Sequence, residues 1–166
     1  MCNPPADTPI VYQPIGWLST PFTDITEMPI QPAGARGIRG TLRVKPEFVP
    51  GLRDLDGFSH VICLYHLHQC VGYALEVTPF LDRATHGIFA TRSPRRPNPI
   101  GLSVLRLVGI EGDTLHLEDV DMLDGTPVLD LKPYVPAFDA PTADRFGWLT
   151  GAEERVTVTR SDDRFR

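Results

Sequence analysis

Apolar and polar positions alternate most regularly at Thr114–Glu118, where Leu115 and Leu117 are separated by His116 and followed by Glu118. A period of two sends one face to a core and the other to water. Ser103–Ile110 comes just before it, and the intervening Glu111-Gly112-Asp113 is the short glycine-containing link of a hairpin. His60–His68 (HVICLYHLH) is a β-branched, apolar run bounded by Gly57 and Gly72, and it predicts the strongest strand of the chain. Val11–Leu18, Ile38–Val44, Tyr73–Val77, Gly87–Ala90 and Val128–Leu131 read as further short strands, with Asp124-Gly125 marking a turn. No long stretch keeps a helical period; one helical turn in Pro50–Gly57 and a short tail helix near Thr142–Leu149 are the helical expectations. The expected fold is all-β: a single small antiparallel barrel with long Pro/Gly-rich loops and at most short helices.

Length and proline content sharpen that picture. A chain of 166 residues suits one domain, taken here as an N-terminal tail over 1–10, a barrel over 11–150 and a C-terminal segment over 151–166. Its 17 prolines are about twice the usual ~5%. Scattered prolines remove backbone donors, which favours short strands and rigid loops over long helices. No window approaches the ~20 apolar residues of a membrane span, and MCNPPADTPI has neither the basic region nor the apolar core of a signal peptide. Cys2, Cys63 and Cys70 form no CxxC pair, so a disulfide framework is not expected and the expected address is the cytoplasm.

Net charge is −5, but it is unevenly spread. From Arg83 to Ile110 there are five arginines and no acid, whereas residues 111–166 carry thirteen acids against six bases. One concentrated basic stripe can hold an anion on an otherwise acidic protein, or simply solvate a loop. The stripe is centred on ATRSPRRPNPIGLS, residues 90–103, where Arg92, Arg95 and Arg96 are interleaved with Pro94, Pro97 and Pro99. Proline fixes its own φ and biases the preceding residue to extended geometry, so Ser93, Arg96 and Asn98 have little freedom left. Arginine forks on such a loop are preorganised for a carboxylate or phosphate.

Other machinery is missing or incomplete. No GxGxxG, GxxxxGK[ST] or GxSxG segment occurs, which removes support for a Rossmann site, a phosphate-binding P-loop or an α/β-hydrolase nucleophile. His60, His66, His68 and Cys70 share parity on an extended segment, yet a catalytic zinc site wants three ligands and a nearby acid, so no metal is expected. The segment Asp121–Tyr134 holds three carboxylates, Lys132 and Tyr134 around a tight turn. Asp130, Lys132 and Tyr134 alternate there, either as a structural ion pair with a packing tyrosine or as a row of catalytic and binding groups.

ATRSPRRPNPIG and DGTPVLDLKPYVP resemble the signature segments of the TsaA-like family, also called the TrmO family of tRNA methyltransferases. FSHVICLYHLHQ (Phe58–Gln69) is similar to its middle motif and PIQPAG (Pro29–Gly34) to its early loop, with one residue more than the family's usual QPG. The resemblance runs from about Ile15 to Trp148 with the motifs in order, and it covers a short form without the C-terminal domain of longer members. It implies a β-barrel, usually a homodimer, that binds S-adenosylmethionine and methylates threonylcarbamoyladenosine beside the anticodon of tRNA. The cofactor residues it implies are Gln31, Pro32 and Ala33, then His68 and Gln69, then Arg92 and Leu102, and finally Asp121, Met122, Leu123 and Asp124. Arg92 suits the cofactor carboxylate. Asp130, Lys132 and Tyr134 then become the acceptor side, with His68 as another candidate base, and Arg95 and Arg96 face the RNA backbone. A small-molecule acceptor and a non-catalytic cofactor-binding barrel stay open beside this reading.

Overall fold

Six strands close on themselves in the computed structural model, which describes residues 8–26 and 28–162. They are β1 (Gly16–Ser19), β2 (Arg39–Val44), β3 (His60–His66), β6 (Ile100–Glu111), β7 (Thr114–Glu118) and β8 (Pro127–Pro133), in the order β1-β2-β7-β6-β3-β8 around the barrel. Every pairing is antiparallel. Two short strands, β4 (Glu76–Val77) and β5 (His86–Gly87), form a separate hairpin lobe with its own buried pair, Val77 and Ile88. The expected antiparallel barrel is the observed one.

Inward side chains supply the core. Leu18, Leu42, Val61, Cys63, Leu105, Leu115, Leu117 and Val128 are all buried, from every strand of the barrel. Burial lifts the Cys63 thiol to about 12, so it stays protonated and inert. Leu115 and Leu117 point inward as their alternation predicts, and β7 has the expected bounds.

Two bulges decide which residues face out. Leu64 pairs with Asp130 and Tyr65 with Val128, leaving Leu129 as the extra residue of β8. Parity therefore switches: Val128 and Leu131 both pack on the core, while Asp130 and Lys132 face outward. In β6, Val108 is the extra residue between Leu107 and Gly109, which lets Leu107 and Ile110 both reach the core.

Several expected boundaries are corrected. The opening strand is confined to Gly16–Ser19; residues 11–14 are not paired, and Pro14 has no N–H to give a ladder. The middle strand stops at His66 because Leu67 N donates to the Pro99 carbonyl and Cys70 N to the Leu67 carbonyl, turning the chain. Tyr73–Val77 contributes only its last two residues as strand. Ile88–Ala90 is a 3₁₀ turn rather than strand, closed by the Thr91 N–H and hydroxyl, which both bond the Ile88 carbonyl. The helix expected near 142–149 is reduced to a 3₁₀ turn at Gly147–Leu149. The α-helical turns are α1 (Pro136–Asp139) and α2 (Glu153–Val158).

The chain after β8 straps back over the loops. Trp148 stacks on His86 with ring centroids 4.7 Å apart, and its indole N–H donates to the Ala90 carbonyl at 2.8 Å. Further on, Ala152 is buried, and Ser161 exchanges backbone and hydroxyl bonds with Met28. The strap thus touches both the 88–92 loop and the loop leading to Gln31.

Candidate functional site

Gln31 opens a single 3₁₀ turn, Pro32–Gly34, whose proline stands at the first position where no N–H is needed. Gly34 N bonds the Gln31 carbonyl and Ala35 N the Pro32 carbonyl, and Ala35 is fully buried beneath the turn. Across from it, Arg92 leaves the arginine loop, and its Nη1 donates to Gln31 Oε1 at 2.6 Å. Two of the sequence motifs therefore meet through side chains. Arg92 itself is exposed, so its remaining donors face solvent.

Asp121 forms the floor beside them. Ser103 Oγ donates to Asp121 Oδ1 at 2.8 Å, and Tyr65 Oη lies 3.3 Å from Ser103 Oγ. Since the serine's one proton goes to the carboxylate, Tyr65 is the donor into Ser103. Burial raises Tyr65 well above the ordinary phenol range, keeping that proton in place. Burial also lifts Asp121 to about 6, against opposing pulls from the Ser103 bond and the Arg92 charge. An anion so poorly compensated favours a cation or hydroxyl donor brought to it.

Gly101 makes this chain possible. It pairs with Tyr65, and a Cβ there would fall on the Tyr65 ring, so only glycine lets the ring lie across β6.

The other expected residues fall into distinct places. Met122 is buried in the core, and its carbonyl accepts from Thr20 Oγ1 at 2.8 Å, so its side chain lines no open site. Asp124 braces a turn by accepting from Thr20 N at 3.0 Å. Leu123 is half-buried, and its carbonyl accepts from Thr126 N. His68 sits just past β3 with Nδ1 3.5 Å from Thr126 Oγ1; burial and the neighbouring His66 lower it, favouring a neutral ring. Gln69 and Ala33 are exposed, and Pro32 is half-buried.

Leu102 stands 52% exposed on the outer face of β6, in one cross-strand row with Leu64 and Asp130. Asp130 Oδ2 and Lys132 Nζ pair at 2.7 Å on that face, and the Tyr134 ring meets His60 edge-on at 6.2 Å. The alternating row thus lies outside the barrel, one strand beyond β3 from Leu102.

Arg96 does not point away as a free cation. Its Nη1 donates to the carbonyls of Ile88 and Thr91, at 3.2 and 2.8 Å. Arg95 lines an open cleft of about 560 Å³ with Arg83, Thr78 and Val77, and its Nε is buried without a hydrogen-bond partner. Ser93 Oγ, next to Arg92, is likewise buried and unpartnered. Sequence reasoning missed Ser103, Tyr65 and Trp148. A serine at an inward position between Gly101 and Leu105 was the available signal.

Among the described residues no group of three His, Cys, Asp or Glu side chains comes together for a metal ion, and no helix is long and apolar enough to cross a membrane.

The family model for the tRNA-methyltransferase O N-terminal domain matches residues 17–140. The chain belongs to that family. A probable S-adenosyl-L-methionine-binding protein of Pyrococcus abyssi is 49% identical over 156 residues, covering 94% of this chain and 85% of that protein. A mouse (Mus musculus) tRNA (adenine(37)-N6)-methyltransferase is 39% identical over 139 residues, covering 80% of this chain but 32% of its own length. The crystal structure of TrmO from Pseudomonas aeruginosa superposes with a TM-score of 0.71 at 41% identity, over 85% of this chain and 63% of that one. This chain therefore spans less than two thirds of that solved TrmO chain and a third of the mouse enzyme.

Proposed function

We propose that this protein transfers a methyl group from S-adenosylmethionine to the exocyclic nitrogen of threonylcarbamoyladenosine in tRNA, in the cytoplasm. The observation that carries the reading is the meeting of Arg92 with Gln31 beside the half-buried Asp121, in a chain matched by the tRNA-methyltransferase O family model. The donor set suits the cofactor. Arg92 offers a guanidinium fork to a carboxylate, Asp121 a carboxylate to a cation or a sugar hydroxyl, and Ser93 an unused buried hydroxyl.

When bound, S-adenosylmethionine supplies an electrophilic methyl on a sulfonium. The chain's own part is mostly positioning. Gln31 orients Arg92; Tyr65 and Ser103 hold Asp121. Asp130 accepts the proton of the urea-like acceptor nitrogen, Lys132 holds the threonyl carboxylate, and the Tyr134 hydroxyl completes the acceptor side of the row. The outer face of β6, with Ile100 and Leu102 exposed, is where a second copy would seat in a homodimer, at the edge of the Asp130–Lys132 row and leaving it open.

Mass analysis of tRNA from a deletion strain tests the reading: the methylated nucleoside is lost and returns with the intact gene. Asp130→Asn, Lys132→Ala and Tyr134→Phe should fold and bind S-adenosylmethionine normally while losing most methyl transfer. Full turnover in all three removes the row from the mechanism and leaves His68 as the next base to test.

A further inference from the structure

Phe89 stands 77% exposed in the middle of the most basic stretch of the chain. The 3₁₀ turn that replaces a strand there buries Ile88 at 1% exposure and leaves the next side chain in solvent. A lone exposed phenylalanine is unremarkable, but this one is built in. The Arg96 guanidinium lies over its ring, 5.8 Å from the centroid. Because the same guanidinium is anchored on the carbonyls of Ile88 and Thr91, ring and cation are held by one turn.

The surroundings extend the patch. Ile88 N donates to the Leu75 carbonyl at 2.8 Å, and Ala74 N to the Arg95 carbonyl at 3.1 Å. The segment carrying Tyr73 and Leu75, each 61% exposed, is therefore laid between the phenylalanine turn and the arginine loop. Beside it lies the open cleft with Arg83 and Arg95 on its walls. Of the two acids in that cleft, Asp82 is already engaged, accepting from Arg83 N at 2.6 Å and meeting His86 Nε2 at 2.9 Å.

We propose that Phe89, backed by Arg96, is a stacking platform for an unpaired base of the RNA substrate, with Arg95 and Arg83 taking the adjoining phosphate. The inference rests on the reading of this chain as a tRNA methyltransferase. Its chemistry is that of single-stranded RNA: unstacked bases settle on aromatic rings and arginine planes, while the backbone follows cations. A stretch with five arginines and no acid, with one exposed ring among them, matches both needs at once. Arg96 thereby changes role, from a phosphate contact to the support of the ring.

The test uses the full-length protein with threonylcarbamoyladenosine-containing tRNA, measuring RNA affinity over a salt series and cofactor affinity by calorimetry. Phe89→Ala should weaken RNA binding on the order of tenfold or more, with S-adenosylmethionine affinity and salt slope unchanged. Phe89→Tyr should bind RNA like the wild type. Arg95→Ala should weaken binding and also flatten the salt slope. Normal RNA binding and methylation by Phe89→Ala overturn the platform alone. So does a Phe89→Ala variant that loses a protein–protein contact in sedimentation while still binding RNA. Wild-type protein that binds S-adenosylmethionine but leaves the tRNA unmethylated overturns the underlying reading and the platform with it.

Discussion

Arg92 Nη1 and Gln31 Oε1 meet at 2.6 Å across 61 residues of chain, and each comes from a different loop. A bond of this kind leaves the arginine charged, exposed and aimed, which is the state an anion-binding fork requires.

Arg92→Ala should therefore lower S-adenosylmethionine affinity by on the order of 1.5–3 kcal/mol, the worth of a charge-assisted partner. Gln31→Leu should cost less, since the guanidinium survives but loses its orientation. Calorimetry on both variants checks the order. Equal losses would mean that Gln31 touches the cofactor itself rather than steering Arg92.

Asp121 gives a pH dependence whose sign is fixed by its direction of shift. The folded protein holds this carboxyl at about 6, above the ordinary 3.8, so the native state binds its proton more tightly than the unfolded chain does. Stability contributed by this group is present at low pH and falls as pH rises through that window, by on the order of 3 kcal/mol. Asp121→Asn should melt higher than wild type near pH 7 and about equally near pH 4. The same substitution should lose cofactor affinity and the rise in that affinity expected between pH 5 and 7. Thermal unfolding across pH and titration calorimetry read the two effects separately.

Gly101→Ala should push the Tyr65 ring out of place. Overpacking of this sort costs about 1–3 kcal/mol, and the shift would also break the chain from Tyr65 through Ser103 to Asp121. In a Tyr65→Ala background the added methyl has room, so its further cost should nearly vanish. A double-mutant cycle in denaturant measures that coupling; additive costs would show that the ring is not the obstacle.

Trp148 should matter to the cofactor although it belongs to the C-terminal strap. Its bond to the Ala90 carbonyl and its stack on His86 fasten the turn that leads into Arg92. Trp148→Phe should keep the stack and lose the bond, for about 1 kcal/mol of stability. Trp148→Ala should lose both and weaken S-adenosylmethionine binding while the barrel's circular dichroism stays intact. Unchanged cofactor affinity in the alanine variant would reduce the strap to packing alone.

Much of the frame was legible along the chain. The alternation of Leu115 and Leu117 placed β7 residue for residue, and the glycine-bearing link before it placed the hairpin. The interleaved prolines announced a stiff arginine loop, and the quoted motifs carried the family. Signals of that kind depend on a residue and its near neighbours, so they survive without the fold. What only the tertiary structure decided depends on partners far away in sequence. The bulges at Leu129 and Val108 exist because neighbouring strands impose their registers, and the first of them turns Asp130 and Lys132 outward. Asp121 holds its proton tightly because the assembled barrel takes it out of water, against the opposing bond from Ser103. Arg96 supports a ring instead of facing solvent because a threonine closes a 3₁₀ turn five residues earlier and points two carbonyls at it. Burial and long-range pairing are properties of the assembled barrel, and no local period along the chain encodes them.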